Sequence, residues 1–270
     1  MLFINMSGPS LRIEWGVSNV PHPEKGDGED TWFTINDAKY PAAGVFDGVG
    51  SWAEQNVNPI YWSMALAEGC SASIMDGNTG PITILTDGYK NAMASKHEGS
   101  CTACVAIKNG PNSVSVANLG DSGVALFRDD KLVWESSQQE YLFNYPYQLS
   151  SDVDALPKDA DRHVLTKLKS GDIIILATDG LWDNLYNKEI IKYLDDDSEV
   201  EDIATTLAVS AFHASNDQKR WGPFSQASVE NLYTASPYAS DEDFIPPPAP
   251  LTEYMGGKPD DITVIVGRLV

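Results

Sequence analysis

Cysteine is scarce in this sequence, and its scarcity excludes one class of protein. Three cysteines, Cys70, Cys101 and Cys104, occur in 270 residues. So few cannot supply the disulfide framework of a small secreted scaffold, and no secretory signal segment opens the chain. We therefore expect an intracellular protein in a reducing compartment, with its cysteines serving as buried apolar side chains.

Basic residues are also few. The 18 lysines and arginines face 39 aspartates and glutamates, which gives a formal charge of −21 at pH 7. This charge repels the phosphates of nucleic acids and the surface of anionic membranes, so we expect no nucleic-acid partner. The sequence also lacks an uninterrupted apolar run of about 18 residues, which argues against insertion into a membrane.

The rest of the composition is that of a folded protein. Hydrophobic residues make up 42% of the chain and aromatic residues 10%, which is enough to build a packed core. A chain of 270 residues with this composition often forms one large unit. We predict a single domain over residues 1–270, and we expect a monomer.

The first part of the chain alternates apolar segments with turn residues. Segments 11–17, 31–35 and 42–46 predict three short strands, which we expect to lie in one sheet. Two helices should follow, because Pro59 and Pro81 each stand at the start of a helix-like segment.

The second part of the chain begins with period-two patterning. Residues 101–136 predict an antiparallel meander, and the apolar run at 172–180 predicts a strand buried on both faces. Ser198 and Glu201 have the spacing of a capping box, which predicts the start of a helix there. Residues 262–270 predict the last strand.

Residues 215–257 have a different composition, rich in proline, serine and tyrosine. We expect a long flap here rather than a core element, since loops of this length in compact domains are usually functional or disordered. The order of the other elements predicts an α+β fold. It would be a four-layer αββα sandwich, in which two central, mainly antiparallel sheets are flanked by helices.

Acidic residues stand at the ends of the predicted strands. If these strand ends meet at one edge of the sheets, the carboxylates would repel one another unless cations lay between them. Oxygen ligands suit Mg²⁺ or Mn²⁺, and the four histidines show no zinc-binding spacing. The acids concerned are Glu29, Asp30, Asp47, Asp121, Asp179, Asp260 and Asp261.

Several motifs in this order resemble those of a known family. They are GEDTWF, GVFDGVGSW, GSCTACVA, VANLGDSGVALF, GDIIILATDGLWDNL and KPDDITVIV. Together they resemble the metal-dependent type 2C Ser/Thr protein phosphatases, and the resemblance extends over about residues 26–270. The DGVG form is most similar to a small subgroup with many mitochondrial members. The resemblance therefore implies a cytoplasmic location, or a mitochondrial one if a presequence has been removed.

The resemblance implies specific roles for four residues. Asp47 would bridge two core metal ions, and the carbonyl of Gly48 would bind one of them. Asp179 and Asp260 would bind the other ion. Asp47, Asp179 and Asp260 would thus be the catalytic acids.

Further roles follow from the same resemblance. Glu29 and Asp30 would act on the core metals largely through coordinated water. Asp121, Asp179 and Asp183 would form an outer site for a third ion.

Two positions depart from the pattern of the family. Lys25 stands where many relatives have a phosphate-binding arginine, and a lysine offers a point charge without a bidentate fork. Val49 stands where many relatives have a histidine proposed as general acid. The proton for the leaving group must then come from a metal-bound water or another side chain, or it is dispensable, and its loss could slow the reaction by roughly 10²–10⁴-fold.

The resemblance implies hydrolysis of phosphoserine and phosphothreonine in proteins, by water activated between two Mg²⁺ or Mn²⁺ ions. Phosphoproteins would be the substrates. An alternative remains open, because the missing histidine and the long flap would also suit a catalytically silent module that binds a phosphoprotein or a scaffold.

Overall fold

Two five-stranded antiparallel sheets form the centre of the structure, a computed structural model that describes residues 10–152, 154–234 and 254–270. The strands are β1 (Ile13–Val20), β2 (Thr31–Ile35), β3 (Ala42–Phe46), β4 (Ser100–Cys101), β5 (Ala103–Gly110), β6 (Ser113–Leu119), β7 (Gly123–Arg128), β8 (Lys131–Glu135), β9 (Glu140–Leu142), β10 (Tyr145–Pro146), β11 (Leu149–Ser150), β12 (Asp161–Thr166), β13 (Ile173–Ala177) and β14 (Ile262–Leu269). The first sheet has the order β1-β14-β13-β7-β8, and the second has the order β12-β6-β5-β3-β2.

Helices cover the outer faces of both sheets. Helices α1 and α2 pack on the second sheet, and α5 packs on β1 and β14 of the first. None of the described helices combines the length and apolar character needed to cross a bilayer. The helices are α1 (Ile60–Met75), α2 (Pro81–Ser95), α3 (Asp179–Trp182), α4 (Asn187–Ile190), α5 (Val200–Ser215) and α6 (Pro223–Thr234).

Strand β13 shows how the layers are held together. All five of its residues are buried, as the continuous apolar run predicts. Ile173 and Ile175 belong to the core under α5, whereas Ile174 and Leu176 belong to the core between the sheets. This alternation places apolar side chains on both faces of the strand. A third core lies between the second sheet and α1 and α2, so the predicted four-layer α+β sandwich is confirmed.

Two predictions of strand pairing are wrong. Strand β1 does not join β2 and β3, but pairs with β14 in the other sheet. The predicted meander is also divided, because β5 and β6 lie in the second sheet and β7 and β8 in the first. Each strand pair satisfies the local period-two pattern, which does not specify the sheet to which the pair belongs.

Two details of the later elements also differ from prediction. Helix α5 begins after Glu199, and no side chain caps it, while the Ser198 hydroxyl instead donates to Asp195 at 2.9 Å. The segment predicted as a flap contains helix α6, in which Ser225 and Val229 are buried. Residues 235–253 of that segment lie outside the described part of the chain.

Candidate metal centre

Three aspartates from distant parts of the chain meet at one edge of the two sheets. Asp47 follows β3, Asp121 lies between β6 and β7, and Asp179 opens α3 just after β13. One carboxylate oxygen from each lies within 4.8 Å of the others. The antiparallel register of β2 and β3 brings two further acids, Glu29 and Asp30, beside Asp47. Thr31 of β2 pairs with Phe46 of β3, so the residues that precede β2 lie beside those that follow β3.

The backbone around Asp47 is fixed from two sides. The Asp47 N–H donates to Thr102 Oγ1 at 3.2 Å, and the Thr102 N–H donates to the Asp47 carbonyl at 2.9 Å. On the other side, a Cβ atom on Gly48 would lie 2.5 Å from the Glu29 carbonyl oxygen. A side chain at position 48 would therefore push the two segments apart.

Asp30 joins the two sheets beneath the cluster. One of its carboxylate oxygens accepts hydrogen bonds from the hydroxyls of Thr178 at 2.9 Å and Thr263 at 2.7 Å. Thr178 directly precedes Asp179, so this network sets the position of the first residue of α3 relative to β2.

Two lysines lie among the remaining acids. Lys25 Nζ is 2.7 Å from Glu29 Oε2 and 3.3 Å from Asp260 Oδ1. Lys258 Nζ donates to Asp179 Oδ2 and lies 2.7 Å from Asp183 Oδ2. The structure thus places Glu29 and Asp260 around one lysine, and Asp179 and Asp183 around the other.

The electrostatics of the site oppose ionisation of its carboxyl groups. Burial is the main cause that raises the pKa values of Asp30, Asp47 and Asp121 well above the usual range. Repulsion by neighbouring carboxylates adds to the effect, and for Asp47 these neighbours include Asp30, Asp179 and Asp260.

The pKa values of two carboxyl groups beside the lysines are also raised, but less strongly. Burial raises the pKa of Asp183 to about 7, although the charge of Lys258 opposes the change. Burial and the charge of Asp179 raise the pKa of Asp260 to about 6, against the effect of Lys25 and Lys258. Burial and the neighbouring carboxylates therefore outweigh the effect of the two lysines on these pKa values.

Buried carboxylate oxygens without hydrogen-bond partners indicate which kind of ligand this site can bind. One buried carboxylate oxygen each of Asp30, Asp121 and Asp179 has no hydrogen-bond partner among the described residues. Buried polar atoms are normally satisfied, and an exception requires an explanation such as an ion or a water. Closely spaced carboxylate oxygens without sulfur or imidazole fit a hard divalent cation such as Mg²⁺ or Mn²⁺.

Comparison with known proteins identifies the family. No protein-family model matches the sequence. The chain is 33% identical over 267 residues to "Probable protein phosphatase 2C 80" of Arabidopsis thaliana, an alignment that covers 95% of this chain and 58% of the relative. The solved structure of the photosystem II phosphatase PBCP has a TM-score of 0.83 and 30% identity, with 96% of this chain and 99% of that chain covered. The chain belongs to the protein phosphatase 2C family.

The length of the relatives and a second solved structure also bear on the family assignment. The chain spans little more than half the length of the first curated phosphatase 2C relatives that it matches. A second solved structure, the catalytic domain of the phosphatase PstP in complex with two manganese ions, shares the fold at a TM-score of 0.62 with 16% identity.

Asp261 has a structural position in this phosphatase 2C chain. The sequence groups it with Asp260 as a strand-end acid, but its carboxylate accepts the backbone N–H groups of His22 at 2.7 Å and Glu29 at 3.0 Å. Asp261 thereby holds the loop that carries Lys25 and Glu29 against the start of β14.

Several residues at the site carry little signal in the sequence. Lys258 is the main one, and the signal for it was its place two residues before Asp260 in the KPDD motif. Thr178 and Thr263 were also missed, because hydroxyl residues beside strands are too common to stand out. Asn184, which binds the Lys258 backbone, became evident only from the tertiary contacts.

The cysteines take no part in the site. Cys70, Cys101 and Cys104 are all free and buried. Cys101 belongs to the core under α1 and α2, whereas Cys104 belongs to the core between the sheets. Cys101 lies on β4, which pairs with β11, and Cys104 lies on β5 of the second sheet, so the two side chains enter different cores from two strands rather than from the single strand that the sequence predicts.

Proposed function

We propose that this chain hydrolyses phosphoserine and phosphothreonine in proteins and depends on Mg²⁺ or Mn²⁺. The observation that carries the proposal is the meeting of Asp47, Asp121 and Asp179 within 4.8 Å, with buried oxygens that lack partners. Family membership supports the reaction class. The predicted organisation as one domain over residues 1–270 is part of the proposal.

The residues that would hold the core cations are the carboxylates of Asp47, Asp179 and Asp260 and the carbonyl of Gly48. Glu29 and Asp30 would support them through water, and Asp121, Asp179 and Asp183 would form an outer site. When bound, such cations supply a water of lowered pKa and stabilise negative charge on a phosphoryl group.

The chain itself positions these ligands and orients the substrate. The pairing of Thr102 with Asp47 and the close contact of Gly48 with Glu29 hold the backbone carbonyl of Gly48 in place. Lys25 keeps 31% of its side chain exposed at the edge of the cluster, where its charge can attract a phosphate monoester. Val49 offers no proton, so the proton for the leaving group would come from a metal-bound water or another side chain, unless it is dispensable.

We infer that the segment 215–257 determines which phosphoproteins the chain selects as substrates. Its described part touches the site, because the Phe224 N–H donates to the Asp183 carbonyl at 3.0 Å. Surface segments beside a rigid site commonly determine specificity. Shortening this segment should change the ranking of phosphopeptide substrates, and an unchanged ranking would remove this part of the proposal.

A phosphate-release assay on phosphoserine and phosphothreonine peptides tests the proposed activity. We expect turnover by the wild type with Mn²⁺, none in EDTA, and recovery when Mn²⁺ is added in excess. Asp47→Asn should abolish turnover without loss of the fold, as measured by circular dichroism. The matched control is Asp76→Asn, which makes the same change at an exposed position after α1.

Two results would contradict the proposal. Full turnover by Asp47→Asn would show that this carboxylate is not needed. Absence of turnover by wild type that binds Mn²⁺ would instead support the silent phosphatase-like module.

A further inference from the structure

Lys258 inserts a positive charge into the acidic cluster. Its Nζ donates to Asp179, lies 2.7 Å from Asp183 Oδ2, and lies 3.9 Å from Asp260 Oδ2. Only 15% of the side chain is exposed. A lysine side chain buried to this extent gives up much of its conformational freedom and its hydration, unlike an ordinary surface ion pair.

The surrounding structure holds Lys258 in this position. Its backbone N–H donates to Asn184 Oδ1, and its carbonyl accepts from Asn184 Nδ2, both at 2.9 Å. Asn184 is fully buried and also donates to the Gly180 carbonyl at 3.0 Å. The ring of Phe224 covers the ammonium group, with Nζ 5.1 Å from the ring centroid.

Lys25 provides a useful contrast. It contacts Glu29 and Asp260 from the other side of the cluster, but 31% of its side chain is exposed, about twice the fraction of Lys258. Lys25 can therefore turn towards solvent or a substrate. Lys258 is enclosed between the acids, Asn184 and Phe224.

We propose that Lys258 is a built-in cation that occupies the Asp179–Asp183 side of the cluster in metal-free protein and competes there with a divalent ion. The inference rests on the proposed function to the extent that the cluster binds divalent metal. Its physical basis is simple. An ammonium group repels a cation a few ångströms away, and each hydrogen bond from Nζ takes up a lone pair of an Asp179 or Asp183 oxygen that would otherwise be open to a metal ion.

Two consequences follow for the protein. The outer position formed by Asp121, Asp179 and Asp183 should bind divalent metal only weakly while Lys258 is present, because the ion must first displace the ammonium group. The metal-free protein should in turn be more stable with Lys258 than without it, because the lysine offsets repulsion among buried carboxylates.

The test measures Mn²⁺ binding by isothermal titration calorimetry for wild type, Lys258→Gln and Lys258→Arg. We expect Lys258→Gln to bind one more Mn²⁺ ion, or to bind its weakest ion about tenfold or more tightly, since removal of a nearby charge is worth at least one decade of affinity. Lys258→Arg should resemble wild type. Lys90→Gln is the control, because Lys90 is 70% exposed and pairs with Asp87 on the surface of α2.

A second measurement uses wild type alone and does not depend on the folding of a variant. Reductive methylation followed by mass spectrometry reports the accessibility of each lysine. We expect Lys258 to be protected in EDTA and more heavily methylated with Mn²⁺, while Lys90 changes little. In EDTA, Lys258→Gln should also melt at a lower temperature than wild type.

The outcomes separate this inference from the proposed function. Equal Mn²⁺ stoichiometry and affinity in wild type and Lys258→Gln would overturn the competition. Methylation of Lys258 that does not rise would also overturn it, provided that wild type has bound as many Mn²⁺ ions as Lys258→Gln. Loss of Mn²⁺ binding in Lys258→Gln would also overturn it. If wild type bound no Mn²⁺ and Lys258→Gln gained a site, the competition would stand and the proposed metal-dependent activity of wild type would fail. Absence of Mn²⁺ binding by both proteins would overturn both.

Discussion

The two ends of strand β13 carry buried aspartates with opposite surroundings. Asp172, which precedes the strand, is 0% exposed in its side chain and fully partnered. Arg128 binds both of its oxygens, through Nε at 2.6 Å and Nη2 at 2.5 Å, and the Lys169 N–H adds a bond of 2.8 Å. This is a closed structural ion pair with bidentate geometry.

Asp179, two residues past the other end of β13, is only partly satisfied. One oxygen accepts from Lys258, whereas the other has no partner in the described structure and the carboxylate lies beside Asp47 and Asp121. The difference shows that burial alone does not distinguish a carboxylate in a structural ion pair from a candidate metal ligand. At Asp172, a fixed arginine neutralises the carboxylate. At Asp179, the negative charge of the neighbouring carboxylates is only partly neutralised, so a cation can bind there.

The largest expected effect is on activity at the Asp179 end. Asp179→Asn should lower turnover of a phosphopeptide with Mn²⁺ by about 10³-fold or more, equivalent to roughly 4 kcal/mol, because it removes a carboxylate that we propose as a cation ligand. Steady-state kinetics would measure the change. Asp76→Asn should retain full activity. Loss of less than about tenfold in Asp179→Asn would mean that the two ends of β13 do not differ as described.

A large effect on stability is expected at the opposite end. Asp172→Asn leaves Arg128 without its carboxylate and should lower the free energy of unfolding by about 3 kcal/mol, at the low end for a broken buried pair because 22% of the arginine side chain is exposed. Urea denaturation would measure this. Activity per folded molecule should stay near that of wild type. A variant as stable as wild type would show that the pair contributes little.

At the acidic cluster, we expect loss of an aspartate charge to raise the stability of the metal-free protein rather than to lower it. Asp121→Asn should raise the stability of metal-free protein by about 1 kcal/mol, since it removes one of several repelling charges and its amide can donate to neighbouring carboxylates. Thermal melting in EDTA would show an increase in Tm. With Mn²⁺ present, the stabilisation by metal should be smaller than in wild type. A decrease in Tm in EDTA would contradict the view that this end carries excess charge.

The smallest effect concerns pH. Folded protein holds a proton on Asp183 with a pKa of about 7, compared with 3.8 for an unperturbed group. The folded state therefore binds more protons than the unfolded state between these values, and this contribution to stability is lost as pH rises through about 7. In EDTA, the decline of Tm with pH over this range should be shallower for Asp183→Asn than for wild type. Parallel declines would contradict the prediction.

The sequence alone determined most elements of this phosphatase 2C chain and the identity of its acids. Proline at the start of α2, continuous apolar character in β13 and period-two alternation in β5 to β8 are local signals that depend on neighbours in the chain. Asp47 and Asp179 were evident because acidic residues after buried strands form ordered motifs. These features require no knowledge of distant contacts.

The pairing of strands into sheets and the meeting of distant charges became evident only in the folded molecule. Strand β1 pairs with β14, almost the whole length of the chain away, and alternation cannot encode a partner at such a distance. The family motif distinguishes Asp172 from Asp179 in the sequence, but it does not show which basic residue each carboxylate would meet. Arg128 reaches the first and Lys258 the second only after folding. The energy of a buried charge depends on its neighbours in space, so the degree to which each carboxylate is neutralised became evident only in the tertiary structure.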